Sequence, residues 1–155
     1  MNVIVVPDGA MIVVPLIEKN GHNYLSPTNF SKDDNTDICD GNLKIGRFIS
    51  RYSNPELPSG VKSRLLLFDK VVNDADAAIV IERPSKTRVR LYSTLNELIL
   101  FGSNSCNNAH ILMLKMIKDS NIPTLYLKYP NTQNQLIQLI EKTNHFLKTI
   151  YTSTS

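Results

Sequence analysis

Asp76-Ala77-Ala78-Ile79-Val80-Ile81 decides the fold class. It follows the polar pair Asn73-Asp74 and shows no alternation of polar and apolar residues. A strand wetted on one face alternates; a strand covered on both faces does not. The run therefore reads as a buried parallel strand. Leu125-Tyr126-Leu127, after Ile122-Pro123, reads as a second such strand. Pro123 fits only at its beginning, where no ladder donor is lost.

Parallel neighbours need a crossover, and the residues between these runs supply one. Ala109, Leu112, Met113, Met116 and Ile117 recur at helical spacing. Lys115 and Lys118 lie near the end of that helix, where cations suit the macrodipole. After Pro130 a long final helix is expected from about Asn131, a good N-cap residue. Its stripe is Leu136, Leu139, Ile140, Thr143, Phe146, Leu147 and Ile150, with Thr143 the one polar member. Such a stripe packs on a sheet. Upstream, Val61, Leu65, Phe68 and Val72 share a helical face between about Val61 and Asn73, with Ser59 or Gly60 as its cap. Helix–strand–helix–strand–helix predicts right-handed crossovers and a three-layer α/β/α domain. Its sheet is mostly parallel, with four or five strands.

The N-terminal part admits two readings. Asn2 to Val6 is a strand. Pro7-Asp8-Gly9 could turn the chain into a hairpin with Met11 to Leu16. Alternatively, Ala10 to Lys19 is a helix that ends at Asn20-Gly21, with Gly21 as a left-handed cap. Pro15 then belongs near the first turn. The helix agrees with the later βα units and is preferred. Residues 26–41 carry Asp33, Asp34, Asp37 and Asp40 and read as a polar acidic loop or insert. Leu43 to Tyr52 is a possible helix weakened by Gly46. No repeat or linker divides the chain, so residues 1–155 are expected to form one domain.

Composition limits the function. The chain is 42% hydrophobic and 20% charged, which is globular rather than disordered. No apolar run reaches the roughly 18 residues of a membrane helix, and the start lacks a basic n-region. Two cysteines make no disulfide framework and fit a reducing cytoplasm. Asparagine occurs sixteen times without forming a tract, which reads as a genomic bias. The net charge of +3 hides local concentration: acid between Asp33 and Asp40, base at Lys62 to Arg64 and at Arg83 to Arg90.

Standard fingerprints are missing. The chain has no G-x-G-x-x-G after its first strand, no P-loop, no G-x-S-x-G, no H-E-x-x-H and no C-x-x-C. No catalytic set, metal set or cofactor is assigned. Three segments remain as candidates. Ser59, Gly60, Lys62, Ser63 and Arg64 open a helix, where free N–H groups, hydroxyls and cations would suit a phosphate or carboxylate. The alternative there is ordinary capping with two solvated cations. Arg83, Lys86 and Arg88 follow the apolar strand, where ligands of open α/β sheets bind. They read equally as a charged edge strand. Cys106 and His110 lie four apart at the start of a helix, a spacing for a reactive thiol with a base or for two metal ligands. Two ligands do not close a zinc site, and Cys39 and His22 would have to join. The alternative is a small buried residue beside a capping loop. Nucleic acid is disfavoured, because few aromatics interleave with the basic residues.

Leu57-Pro58-Ser59-Gly60-Val61-Lys62-Ser63-Arg64, Phe101-Gly102 with Cys106, and Ile122-Pro123-Thr124-Leu125-Tyr126-Leu127-Lys128-Tyr129-Pro130 resemble the archaeal methanogenesis marker protein 5 family. The opening βα unit through Gly21-His22 is similar as well. The resemblance implies a cellular context in methane-producing archaea and an accessory role around methyl-coenzyme M reductase, in assembly, activation or cofactor supply. It implies a protein partner in that machinery. The last strand–helix unit also resembles C-terminal domains of 2-hydroxyacyl-CoA dehydratase subunits, which hold an iron–sulfur cluster through several cysteines. Here Cys106 alone lies in the comparable loop. Two expectations result. One is a non-catalytic accessory protein with an anion-friendly pocket. The other is an enzyme or sensor that uses Cys106 and His110 on a phosphorylated or CoA-like ligand.

Overall fold

The computed structural model describes residues 1–27, 59–82, 100 and 107–152. Among the described residues four strands, β1 (Asn2–Val6), β2 (Asn23–Tyr24), β3 (Ala77–Ile81) and β4 (Thr124–Leu127), form one sheet in the order β2-β1-β3-β4. Each pairing of these four strands is parallel. The helices are α1 (Val14–Lys19), α2 (Ser59–Asn73), α3 (Asn107–Ser120) and α4 (Gln133–Thr152).

The strands split the core in two. Val3, Val5, Ala77, Ile79 and Ile81 face one side with Val13 and Ile17 around α1 and Leu139, Leu147 and Ile150 from α4. Ile4, Val6, Ala78 and Val80 face the other with Leu65, Phe68, Val71 and Val72 from α2 and Met113, Met116 and Ile117 from α3. Successive side chains of a strand point to opposite faces, so a continuous apolar run serves both cores. That is the expected three-layer arrangement.

The three long helices use the stripes anticipated from spacing. Thr143 is fully buried in the α4 stripe, and its hydroxyl donates to the Leu139 carbonyl at 2.8 Å. A back-bond of this kind satisfies a buried hydroxyl without a partner from another element. The cap of α4 is Thr132 rather than Asn131. The Gln135 N–H donates to Thr132 Oγ1 at 3.3 Å, and Gln135 Oε1 accepts the Asn131 N–H at 2.7 Å. This is a capping box whose return bond reaches one residue further back. Gly60 lies in the first turn of α2, since the helix already includes Ser59.

The N-terminal ambiguity resolves as a helix, though a shorter one than expected. The chain turns through 11–13, and α1 begins at Val14 with Pro15 in its first turn. Pro15 therefore removes no intrahelical bond. No hairpin forms, because β2 pairs parallel to β1 through Asn2↔Asn23 and Val3↔Tyr24. At the end of α1 the Gly21 N–H donates to Glu18 O at 3.0 Å and the His22 N–H to Ile17 O at 3.1 Å. That pair is a Schellman motif, with Gly21 at φ +79°. An alanine there has open space around its Cβ but an unfavourable backbone. Gly21→Ala should cost about 1 kcal/mol through backbone conformation alone, read as a lower denaturation midpoint. Asparagine at the same position should cost less than alanine.

Leu43 to Tyr52, the acidic residues 33–40, Arg83 to Arg90 and Cys106 lie outside the described residues. Among the described residues no helix is long and apolar enough to cross a membrane.

Candidate functional site

The strand order marks one edge of the sheet as the candidate site. From β1 the chain crosses to β2 on one side, and from β3 it crosses to β4 on the other. The connections diverge between β1 and β3. In open parallel sheets the carboxyl ends of such strands frame a crevice in which ligands bind. The order matches the first four strands of a doubly wound 2-1-3-4-5 sheet.

Three residues leave the sheet at this edge. Asp8 follows β1 after Pro7, Glu82 follows β3 directly, and Lys128 follows β4 directly. The Glu82 N–H donates to Leu127 O at 2.8 Å, which carries the β3–β4 ladder one step past β3. Glu82 and Lys128 are exposed, and Asp8 is half-buried.

Asp8 is held in place. The Tyr24 hydroxyl donates to Asp8 Oδ1 and accepts the Gly9 N–H at 3.0 Å. Gly9 adopts φ +72°, a left-handed turn conformation open to glycine. So β2, only two residues long, serves mainly to bring a phenol beneath the β1 turn. Burial pushes the Tyr24 hydroxyl far above its ordinary range, and the neighbouring Asp8 carboxylate adds to the rise. The phenol stays a donor at all ordinary pH values.

Helix directions bring further groups to the same edge. α2 has 15 residues and spans about 22 Å, while a five-residue strand spans about 16 Å. Only Asp74 to Asp76 join α2 to β3. The first turn of α2 therefore lies at the carboxyl edge, with Gly60, Lys62, Ser63 and Arg64. Lys62 is half-buried, and Ser63 and Arg64 are exposed. α3 packs beside α2 and runs the same way, so half-buried His110 in its first turn lies at this edge too. Of the residues singled out from sequence, topology thus places Ser59 to Arg64 and His110 on one edge. Arg83, Lys86, Arg88 and Cys106 fall outside the described residues. The centre of the edge is acidic, with Asp8 and Glu82, and the flank at α2 is basic.

His22, the histidine that would have to join Cys106 and His110, lies apart from the carboxyl edge, against α4. It is 5% exposed, and its Nε2 lies 3.0 Å from the Leu147 carbonyl. A carbonyl only accepts, so Nε2 carries the proton. Among the described residues, no three histidine, cysteine, aspartate or glutamate side chains converge on a point.

Sequence reading overlooked Asp8, Tyr24 and Glu82. Asp8 and Glu82 each follow an expected strand, which was a usable signal. Tyr24 had none, since nothing in the sequence ties residue 24 to residue 8.

The sequence profile of a family described as "uncharacterized protein conserved in archaea" (DUF2112) matches residues 1–150. A relative from Methanocaldococcus jannaschii, "uncharacterized protein MJ0404", is 28% identical over 159 residues. The alignment covers 96% of this chain and 94% of the relative. No solved structure matches the chain.

Proposed function

The chain belongs to the DUF2112 family of archaeal proteins, and from that premise we propose that it is a non-catalytic accessory protein of archaeal methanogenesis that binds an anionic group at the carboxyl edge of its sheet. The methanogenesis context rests on the resemblance carried by Leu57 to Arg64 and Ile122 to Pro130. The role it supports is assistance in assembling or activating methyl-coenzyme M reductase. One observation supports the binding role: α2 and α3 pack together, and both begin at the edge that holds the β1/β3 crevice. There the first-turn N–H groups of α2, with Lys62, Ser63 and Arg64, suit a phosphate or carboxylate. Asp8 and Glu82 repel an anion from the centre of the crevice, so the anion sits toward α2.

Recovery from a native host tests the reading. The tagged protein, expressed in a methane-producing archaeon, should bring down methyl-coenzyme M reductase or a protein that assembles or activates it. The double variant Lys62→Gln/Arg64→Gln should lower that recovery about tenfold if the basic flank meets the partner. Recovery of no methanogenesis protein would overturn the reading. A rise in melting midpoint with CoA or a nucleotide, lost on removing His110, would instead favour an enzyme or sensor built on Cys106 and His110.

A further inference from the structure

A separate cleft lies at the far side of the sheet, where β4 runs out beneath α4. Its volume is about 420 Å³, and Tyr126, Lys128, Gln135, Gln138 and Lys142 are among the residues that line it. That volume falls in the range of small-molecule sites, about 300–1,000 Å³. The spacing Gln135, Gln138, Leu139, Lys142 is one face of α4, the flank that overhangs β4.

The described lining is rich in donors and includes no acid. Among the described residues Lys128 and Lys142 make no ion pair or side-chain hydrogen bond, and no described carboxylate lines the cleft. Gln135 Oε1 is occupied by the Asn131 N–H at 2.7 Å. A backbone N–H can be met only by the oxygen, which fixes the amide orientation and leaves the Gln135 NH2 group to donate. Tyr126 is 56% exposed, so its ring offers an open apolar surface beside these donors. Two ammonium groups and an amide donor on one cleft are complementary to an anion. An adjoining shallow hollow of about 450 Å³ shares Lys142 and holds Leu125, Glu141, His145 and Phe146. Glu141 lies in that hollow and not in the cleft, so the cleft keeps its positive sign.

We propose that this cleft binds a small molecule with two acidic groups, carboxylate or phosphate, one directed to Lys128 and one to Lys142. The site is distinct from the α2 flank and does not depend on the function proposed above.

Titration calorimetry of the full chain at constant ionic strength tests the proposal, with pyrophosphate and citrate as probes. One-to-one binding is expected, weakened about tenfold or more in Lys128→Gln/Lys142→Gln. Lys62→Gln/Arg64→Gln should leave it unchanged. Binding of pyrophosphate alone would identify the phosphate class, and of citrate alone the carboxylate class. Both lysines are exposed, so the fold should survive. The single variants repeat the comparison if the pair does not fold. Binding of neither probe, or affinity unchanged without both lysines, would overturn the proposal. So would binding of tetraglutamate in place of either probe, which would mark a peptide-docking groove.

Discussion

Replacing Phe68 by alanine should destabilise the fold by about 3–5 kcal/mol, the usual cost of deleting a buried aromatic ring. Phe68 is 1% exposed and belongs to the core between the sheet and α2 and α3, with Ile4, Val6, Val80 and Met116 in the same cluster. These neighbours are fixed on the sheet and on another helix, so they cannot collapse into the space left behind. A domain of this size holds roughly 5–15 kcal/mol in all. At about 2–4 °C per kcal/mol, the thermal midpoint should fall by about 6–20 °C. Ile111 on α3, 54% exposed, is the control. Ile111→Ala should move stability by no more than about 0.5 kcal/mol. A Phe68→Ala protein as stable as Ile111→Ala would refute the two-core arrangement.

Tyr24→Phe should cost about 1–2 kcal/mol at neutral pH and change how stability depends on alkaline pH. The lost hydroxyl is both a donor to Asp8 and an acceptor from the Gly9 N–H. Gly9 is exposed and water can replace the phenol there, which keeps the cost in the lower range for a broken hydrogen bond. The pH effect has a definite sign. Burial and Asp8 raise the hydroxyl above its ordinary value of 10.0. Above that pH the unfolded chain gives up the proton while the native state retains it. The stability contributed by Tyr24 is therefore complete below about pH 10 and declines as pH rises further. The decline approaches about 1.4 kcal/mol per pH unit for one proton. Denaturant midpoints from pH 8 to 11 should show a drop in the natural protein that is shallower in Tyr24→Phe. Parallel curves for the two proteins would show that Tyr24 is not buried against Asp8.

The elements that sequence made legible are those with long periodic signals. The α4 stripe from Leu136 to Ile150 and the runs at Asn2 to Val6 and Ala77 to Ile81 are repetitive enough to reveal both type and buried face. β2 escaped notice because Asn23–Tyr24 is two residues long and has no apolar run. α1 came out short because Ala10 to Val13 form a turn, held by Val13 and Val14 N–H bonds to Ala10 O and an Ile12 N–H bond to Leu100 O. That last contact joins residues far apart in the chain, which no local pattern records. The asparagines illustrate the same limit. Asn2 donates to Asp74 O and accepts from Asn23, and Asn20 donates to Leu16 O and to Asn144. A composition that reads as genomic bias thus includes side chains that tie strand starts and helix ends together.

The candidate site divides along the same line. The basic opening of α2 was visible as Ser59 to Arg64, because capping residues and cations cluster within six positions. The Tyr24–Asp8 bond and the Lys128–Lys142 cleft were not, because each pairs groups from different elements.

The class of the fold is written in the chain: apolar runs without alternation require a sheet covered on both faces, and helical stripes supply the cover. So is the place where charge accumulates along it. The order β2-β1-β3-β4 emerges on folding, and with it the place of the crevice and the residues at its edge. The physical reason is that burial periodicity is written locally, residue by residue, whereas strand order follows from which apolar faces pack best over long separations. A binding site is made by that second choice.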